Sequence, residues 1–381
     1  MSTIADIDRG GPCATDGEIA AINLDSARRR AWARFAQDPR RPGLAEAVVD
    51  QERLTMQFLG DLDALDRLEA LASQFARVDD SPRAALVRAE VASAGHRFAD
   101  ARDHLARAAR MGGPHEEIER HSLSVNQACG VELDAVLATR RRIAAASGRL
   151  EDLVPLGAVL ADLERFPDAD AIYRQAFCSY NDISPFPLAW VCFQLGMLWG
   201  ELAPAPDPDL AAHWYRRAIA YLPSYVKARV HLAEIYASQG QANEGERLLL
   251  PALASRDPEV QWRLADMLIA QGRFDEAKIQ LDAARFGFDE LLGRHLLAFA
   301  DHAAEFYAGT GNDHPRALEL ARSNAVNRPT HRAVRQLQTI AVSANEAAAV
   351  STIQRLAFDC PLKDNQGRKH HRGDSEPRWI S

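Results

Sequence analysis

Small residues recur along this chain of 381 residues at a spacing close to 34 residues. Most of the recurring positions carry a second small residue seven positions later, as in Ala101 with Ala108 and Ala211 with Ala218. The further positions in this series are Ala135, Ala169, Gly245, Ala277 and Ala317. A step of 34 residues separates 211 from 245, whereas the step of 42 from 169 to 211 indicates one period with an insertion. A period of this length indicates a repeat architecture built from small supersecondary units.

A second series of small residues lies twelve positions before the first and defines the other half of each unit. Its members are Ala89, Gly157, Ala233 and Ala265. Turn sequences with a glycine, at Gly240 and Gly272, separate the two halves, as expected for the left-handed residue after a helix. The pattern predicts a hairpin of two helices that approach closely at the small residues. One such hairpin cannot bury its own apolar face, so the units must stack.

The inter-helix sequence QGRFDEA at 271–277 and the spacing from Ala218 to Pro223 resemble the tetratricopeptide repeat family. The resemblance covers roughly residues 82–330 and is clearest over 189–290. It implies an all-α fold, a right-handed α-solenoid of stacked helix hairpins. It also implies a scaffold or adaptor that binds a protein or peptide partner in its concave groove, where the first helix of each hairpin lies.

Two segments depart from the repeat. Residues 116–148 keep the period but place Thr139 and Arg142 where apolar or small residues are expected, and GRLED at 148–152 also resembles an inter-helix turn. Two frames therefore remain open for 116–165. The sequence ELAPAPDP at 201–208 contains three prolines in five residues, which excludes a helix interior and predicts a projecting loop.

The repeat pattern and its loss at both ends divide the chain into five segments. We expect a disordered N-terminus over 1–20, because its composition lacks an apolar periodicity. N-terminal helices and a first hairpin follow over 21–80, and the repeat array occupies 81–330. A closing helix pair is predicted over 331–360, and the polar residues 361–381 are expected to be a disordered tail.

Composition narrows the range of partners and compartments. The formal net charge of −8 argues against a nucleic-acid binder that relies on bulk positive charge. No apolar core of a secretory leader and no run of 18 apolar residues is present, so we expect no membrane association. The five cysteines form no C-x-x-C pair. A reducing, cytoplasmic environment is therefore expected, and a homo-oligomer is left open.

The sequence contains no phosphate-binding glycine loop, no G-x-S-x-G and no H-E-x-x-H motif. We therefore expect neither catalysis nor a cofactor. The only inner acidic pair that could act as acid and base would be Glu234 with Asp266, from adjacent hairpins. Helical solenoids more often supply surfaces than reaction centres, although fold alone does not assign function.

Histidines are concentrated in the last repeats, at His295, His302, His314 and His331. They suggest an alternative function, an accessory protein that binds a metal or a small molecule near these repeats. A metal site needs three or four converging ligands, and the pattern does not bring these four together. We therefore predict no metal site and interpret the histidines as solvated or core-edge side chains.

Helical periodicity selects the residues that should face the groove. They are Phe193, Met197, Lys227, Val230, Glu234, Trp262, Asp266, His302 and Phe306. Aromatic anchors with a few charges are typical of peptide-binding hot spots, but the same aromatics could instead pack between hairpins. The lysine and asparagine with which some family members hold a terminal carboxylate are absent. A polar inner face at Arg120, Ser124 and Gln127 could bind an acidic segment or could be simply solvated.

Overall fold

The computed structural model describes residues 11–343, and within this range it contains seventeen α-helices and no strand. The first three are α1 (Gly17–Gln37), α2 (Leu44–Leu59) and α3 (Ala64–Val78). The next six are α4 (Pro82–Ala94), α5 (Phe98–Arg110), α6 (His115–Ala128), α7 (Leu133–Ser147), α8 (Leu150–Asp162) and α9 (Phe166–Ser179). The remainder are α10 (Pro185–Met197), α11 (Pro208–Tyr221), α12 (Val226–Ser238), α13 (Ala242–Leu249), α14 (Pro258–Ala270), α15 (Phe274–Ala308), α16 (His314–Asn327) and α17 (His331–Ser343).

Consecutive helices from α4 onward pair as antiparallel hairpins, and the hairpins stack in chain order. The predicted all-α solenoid of stacked helix hairpins is confirmed. The paired small residues lie at the helix contacts, where Ala101, Ala169, Ala211 and Ala317 are fully buried. Helix α15 serves two hairpins, because it bends at His295, whose φ of −140° and ψ of 53° are not helical. Its first part pairs with α14 and its second part with α16.

Two residues with a left-handed backbone conformation decide between the two repeat frames left open for 116–165. Glu132, with φ of 51°, separates α6 from α7, and Gly148, with φ of 62°, ends α7. The segment over 115–147 is therefore one hairpin, and the turn at Gly148 separates it from the next hairpin, α8 with α9. The GRLED sequence marks a boundary between hairpins rather than the turn inside one.

The N-terminal segment is ordered earlier than the sequence suggests. Helix α1 begins at Gly17, inside the segment 1–20 that the sequence predicts to be disordered, and the Asp16 carboxylate accepts hydrogen bonds from its first turn. The residues before it lie along the repeats, where the Thr15 amide donates to the Ile183 carbonyl at 2.7 Å. The Tyr221 hydroxyl also donates to the Pro12 carbonyl at 3.0 Å. Disorder is therefore not observed over residues 11–20. The predicted tail at 361–381 and residues 344–360 of the predicted closing helix pair lie outside the described residues.

The solenoid closes on itself across its concave side. The Asn327 side-chain amide donates to the His96 carbonyl at 2.9 Å, and His295 Nε2 lies 2.8 Å from Asp66 Oδ1. The ring of Phe58 on α2 packs against Tyr225 with centroids 5.1 Å apart. These contacts join residues more than 160 positions apart, so early and late helices of the chain meet across the concave side and partly close it.

Candidate functional site

Two adjoining cavities occupy the interior of the closed solenoid. Cavity A, of about 600 Å³, lies between α6–α10 and the start of α17. Cavity B, of about 500 Å³, lies between α2–α6 and the inner helices α12, α14 and α15. Arg53 and Ser124 border both cavities, which therefore lie next to each other.

The apolar residues predicted to line the groove are buried instead. Phe193 is 7 %, Trp262 4 %, Val230 1 % and Phe306 0 % exposed. Phe193 packs on Tyr225 at 5.2 Å, and shows only an edge to cavity A. Trp262 packs on Phe306 at 5.6 Å. The prediction of groove anchors at these four positions is therefore corrected to packing between hairpins, because the tight superhelix leaves no free apolar face there.

The remaining predicted groove residues either border one of the cavities or form ion pairs beside it. Met197 borders cavity A, while Lys227 and His302 border cavity B. Glu234 and Asp266 both contact the Arg263 guanidinium, the latter at 3.6 Å. Since Arg263 holds both carboxylates, this acidic pair is not arranged as a free acid and base. Burial raises the pKa of Asp266 above its usual range.

The polar face predicted on α6 lies along both cavities. Arg120 pairs with Asp152 at 2.6 Å, and Gln127 donates to Asp162 at 3.0 Å. Ser124 lies between them and borders both cavities. These three residues are spaced by one helical turn or less on one face, which explains why they share the interior. Of the predicted sites, this one lies most directly on the enclosed space.

An ionic network that the sequence does not reveal crosses the interior next to these residues. His231 Nδ1 lies 2.6 Å from Glu201 and 3.1 Å from Glu234. Burial opposes a charge on His231, but the two carboxylates outweigh it and raise its pKa to about 10. Burial likewise opposes the charge of Glu201, yet His231 and Arg332 lower its pKa to about 2. The network therefore holds an imidazolium between two carboxylates at neutral pH.

Glu201, His231 and Glu234 lie close enough together to hold a metal ion. A protonated imidazole cannot ligate a metal, and the two carboxylates already contact Arg332 and Arg263. The cluster fits an ion-pair network better than a metal centre. Glu201 belongs to the proline-rich segment predicted to project. Its first residues instead belong to a π-helical turn at Leu198–Leu202, which places Glu201 beside His231, and residues 204–209 are exposed.

The histidines of the last repeats do not converge. His295 pairs with Asp66 at 2.8 Å, His302 with Glu259 at 3.3 Å and His331 with Glu164 at 3.2 Å. The attraction of Glu259, against the effect of burial, raises the pKa of His302 to about 9. Each of these three histidines thus has its own carboxylate partner on a different element, and His314 is not among them.

Comparison with known proteins gives matches of fold only. No protein-family model and no curated protein matches the chain. A chain of the APC/C hetero-tetramer Cut9-Hcn1 is 11 % identical over 89 % of this chain and 68 % of its own, with a TM-score of 0.45. Yeast Tom70 is 13 % identical over 90 % of this chain and 92 % of its own, with a TM-score of 0.32. The C-terminal part of a TPR repeat-containing protein from Cytophaga hutchinsonii is 13 % identical over 77 % of this chain and 98 % of its own, at 0.32.

Identities this low indicate nothing about what this chain binds. Among the helices between residues 11 and 343, none combines the length and the apolar character needed to cross a bilayer.

Proposed function

We propose that this protein is an interaction scaffold that holds a polypeptide segment of a partner inside cavities A and B. One observation carries the proposal: two cavities with charged and polar side chains on their walls remain accessible although the chain's own repeats close around them. Each cavity has a volume of about 500–600 Å³, which is within the range of roughly 300–1,000 Å³ typical of ligand pockets.

The groups that line the interior suit an extended segment. Ser124, Gln194 and Lys227 offer hydrogen bonds that an extended backbone can use, since its own amides and carbonyls are unpaired. With Phe193 and Trp262 buried, such hydrogen bonds and charges would act together with the partly buried aromatics Trp190 and Phe299 on the cavity walls. The four cysteines in the described part of the chain are unpaired, which supports a reducing compartment such as the cytoplasm.

The experiment is site-specific photo-crosslinking in cells of the source organism. A photoreactive phenylalanine analogue replaces Gln194, on the wall of cavity A, or Lys278, on the outer face of α15, as the matched control. We expect a discrete crosslink to another polypeptide from position 194 and none from position 278. Absence of any polypeptide at 194, or the same products from both positions, would contradict the scaffold. Both variants must first melt at the temperature of the unmodified protein.

A small molecule is the second candidate, because either cavity alone is large enough to enclose one. Native mass spectrometry of untagged protein purified from its source distinguishes the two functions. A bound small molecule, together with no polypeptide crosslink at position 194, would favour the accessory function.

A further inference from the structure

Cavity A is bordered by more arginines than carboxylates. Its lining contains Arg53, Arg140, Arg328, Arg332 and Arg335, against Asp162 and Glu164. Three of the arginines have an acidic partner nearby: Arg53 with Glu90 at 3.5 Å, Arg328 with Asp301 at 3.2 Å and Arg332 with Glu201 at 3.3 Å. Glu164 is paired with His331. The remaining charged side chains of the lining are Arg140, Arg335 and Asp162.

Arg140, on α7, lacks an acidic partner within ion-pair distance among residues 11–343. Its Nη2 atom lies 3.4 Å from Ser124 Oγ, a long hydrogen bond, and its Nε is buried without a hydrogen-bond partner. The nearest acidic groups are engaged elsewhere, since Asp152 is held by Arg120 and Asp162 accepts from Gln127. Burial lowers the pKa of Arg140 to about 10, which still leaves it charged at neutral pH. A half-buried cation with so few partners favours an anion beside it.

Arg335, on α17, borders the same cavity, and it forms no ion pair within the described part of the chain. A guanidinium presents paired donors that match the two oxygens of a carboxylate. Cavity A therefore has two guanidinium groups without an acidic partner and one carboxylate, that of Asp162. The charge of its lining is thus net positive.

Cavity B supplies a different environment. Met56, Leu62 and Phe299 form part of its wall, and each is only partly buried by the protein. Its charges are balanced, with Arg53, Arg120 and Lys227 against Glu90, Asp257 and Glu259. A ligand that extends from cavity A past Arg53 therefore passes from a basic surrounding to a charge-balanced one with apolar side chains on part of its wall.

We infer that the partner segment is acidic, with side-chain carboxylates held by Arg140 and Arg335 in cavity A and an adjacent apolar side chain in cavity B. The inference rests on the proposed scaffold function. The group that the two arginines would bind is a carboxylate, which either a polypeptide or a free polycarboxylate can provide. We favour the polypeptide because the two cavities adjoin at Arg53 and Ser124 and together exceed what one small anion fills.

The test is isothermal titration calorimetry of the full chain with two blocked hexapeptides, acetyl-EEEELF-amide and acetyl-QQQQLF-amide. The amidated ends remove the terminal carboxylate, so that only side-chain carboxylates are compared. We expect the acidic peptide to bind at least about ten-fold more tightly, and its affinity to fall with added salt. Arg140→Gln and Arg335→Gln should each weaken the acidic peptide about ten-fold and leave the neutral peptide unchanged.

Arg110→Gln, on the exposed face of α5, is the matched control and should leave both affinities unchanged. Since Arg140 is partly buried, its variant must retain the wild-type melting temperature. If it does not, the exposed Arg335 provides the test alone. Equal affinity of the two peptides, or equal loss in the Arg110 variant, would overturn the acidic segment.

A citrate titration separates the two sources of carboxylate. Citrate binding tighter than the acidic peptide, with the same dependence on Arg140 and Arg335, would overturn the polypeptide as the ligand. Failure of this inference is distinguishable from failure of the scaffold. A crosslink at position 194 that persists unchanged in Arg140→Gln and Arg335→Gln would refute the arginine site and leave the scaffold intact.

Discussion

Single residues set how closely the two helices of each hairpin approach. At Gly157 on α8 an added Cβ would lie 2.4 Å from the ring of Tyr173, which is buried on α9. At Gly196 on α10 the corresponding distance to Tyr215 on α11 is also 2.4 Å. The repeated pair of a small residue and a large ring is therefore a steric fit. It explains why small residues recur with the period of the hairpin.

Gly157→Ala should destabilise the protein by about 1–3 kcal/mol, because the tyrosine ring must move out of a tightly packed site. The midpoint of urea unfolding measures this loss. Gly293→Ala is the control, since nothing lies within 4 Å of a Cβ at that helical position. It should leave stability unchanged or raise it by about 0.5–1 kcal/mol through helix propensity. Equal effects of both variants would contradict the steric explanation.

A second residue-scale feature is His96, which adopts a φ of 56° in the turn between α4 and α5. Its Nδ1 lies 3.2 Å from the Leu297 carbonyl, so the neutral ring donates a hydrogen bond across the closed interior. Burial, together with the nearby charge of Arg328, lowers the pKa of His96 to about 4. The folded protein therefore resists protonation of this histidine.

The pKa of an unfolded histidine is near 6.5, so the unfolded chain binds a proton first as the pH falls. Stability should thus decrease between pH 6.5 and about 4, by on the order of 1–3 kcal/mol from this group. The variant His96→Asn tolerates the positive φ and lacks the titrating ring. In urea unfolding experiments, the free energy of unfolding of this variant relative to wild type should rise as the pH falls from 6.5 to about 4. A constant difference between pH 7 and 4 would show that His96 is not responsible.

At the scale of elements, a buried carboxylate joins the first three helices. Glu52 on α2 is fully buried and accepts hydrogen bonds from Trp32 Nε1 on α1 at 2.6 Å and from Arg67 Nε on α3 at 3.0 Å. Because its partners come from both neighbouring helices, the carboxylate fixes how α1 and α3 pack on α2. The N-terminal helices thus form one unit before the repeats begin.

Glu52→Ala should cost about 3–5 kcal/mol, since Arg67 and the Trp32 indole would lose their buried partner. Hydrogen exchange should accelerate first in α1 and α3. Glu319→Ala, at an exposed position on α16, should change stability by less than about 0.5 kcal/mol. Uniform acceleration along the whole chain would argue against a separate N-terminal unit.

At the scale of the whole molecule, the closing contacts distinguish this protein from an open repeat array. In an open array each hairpin contacts only its neighbours. Here Phe58 packs on Phe186 and Tyr225, with centroids 5.2 Å and 5.1 Å away, and Asn327 bonds to the turn at His96. Hairpins that are distant in the chain are therefore in direct contact. Loss of a contact at one of them should also reduce the local stability of the other.

Phe58→Ala should destabilise the protein by about 3–5 kcal/mol, because it leaves a cavity between α2 and two distant hairpins. Hydrogen exchange should increase in α10 and α12 as well as in α2. Phe274→Ala removes a ring that is 67 % exposed and should have an effect below about 0.5 kcal/mol. Exchange that changes in α2 alone would show that closure does not couple the two regions.

The sequence by itself determined the local architecture. The spacing of Ala211 from Ala218 and the turn glycines Gly240 and Gly272 predict the hairpins and their stacking, because these features depend on contacts between neighbouring residues and helices. The same periodicity selected Arg120 and Gln127 on the inner face of α6. It did not distinguish Arg140 or Arg335, since an arginine that faces an inner cavity follows the same helical pattern as one that faces solvent.

Only the tertiary structure decided which side chains on the inner helix faces are accessible to a ligand. Phe193 and Trp262 occupy inner positions by periodicity, yet they are buried between hairpins, and His231 lies beside Glu201 from a segment predicted to project. The reason is the accumulated rotation between successive hairpins. Small angles, each set by the fit of many side chains, add up over seven hairpins and bring residues such as His96 and Asn327 together. No local pattern encodes that sum, so the closed interior and its charges emerge only when the whole chain is folded.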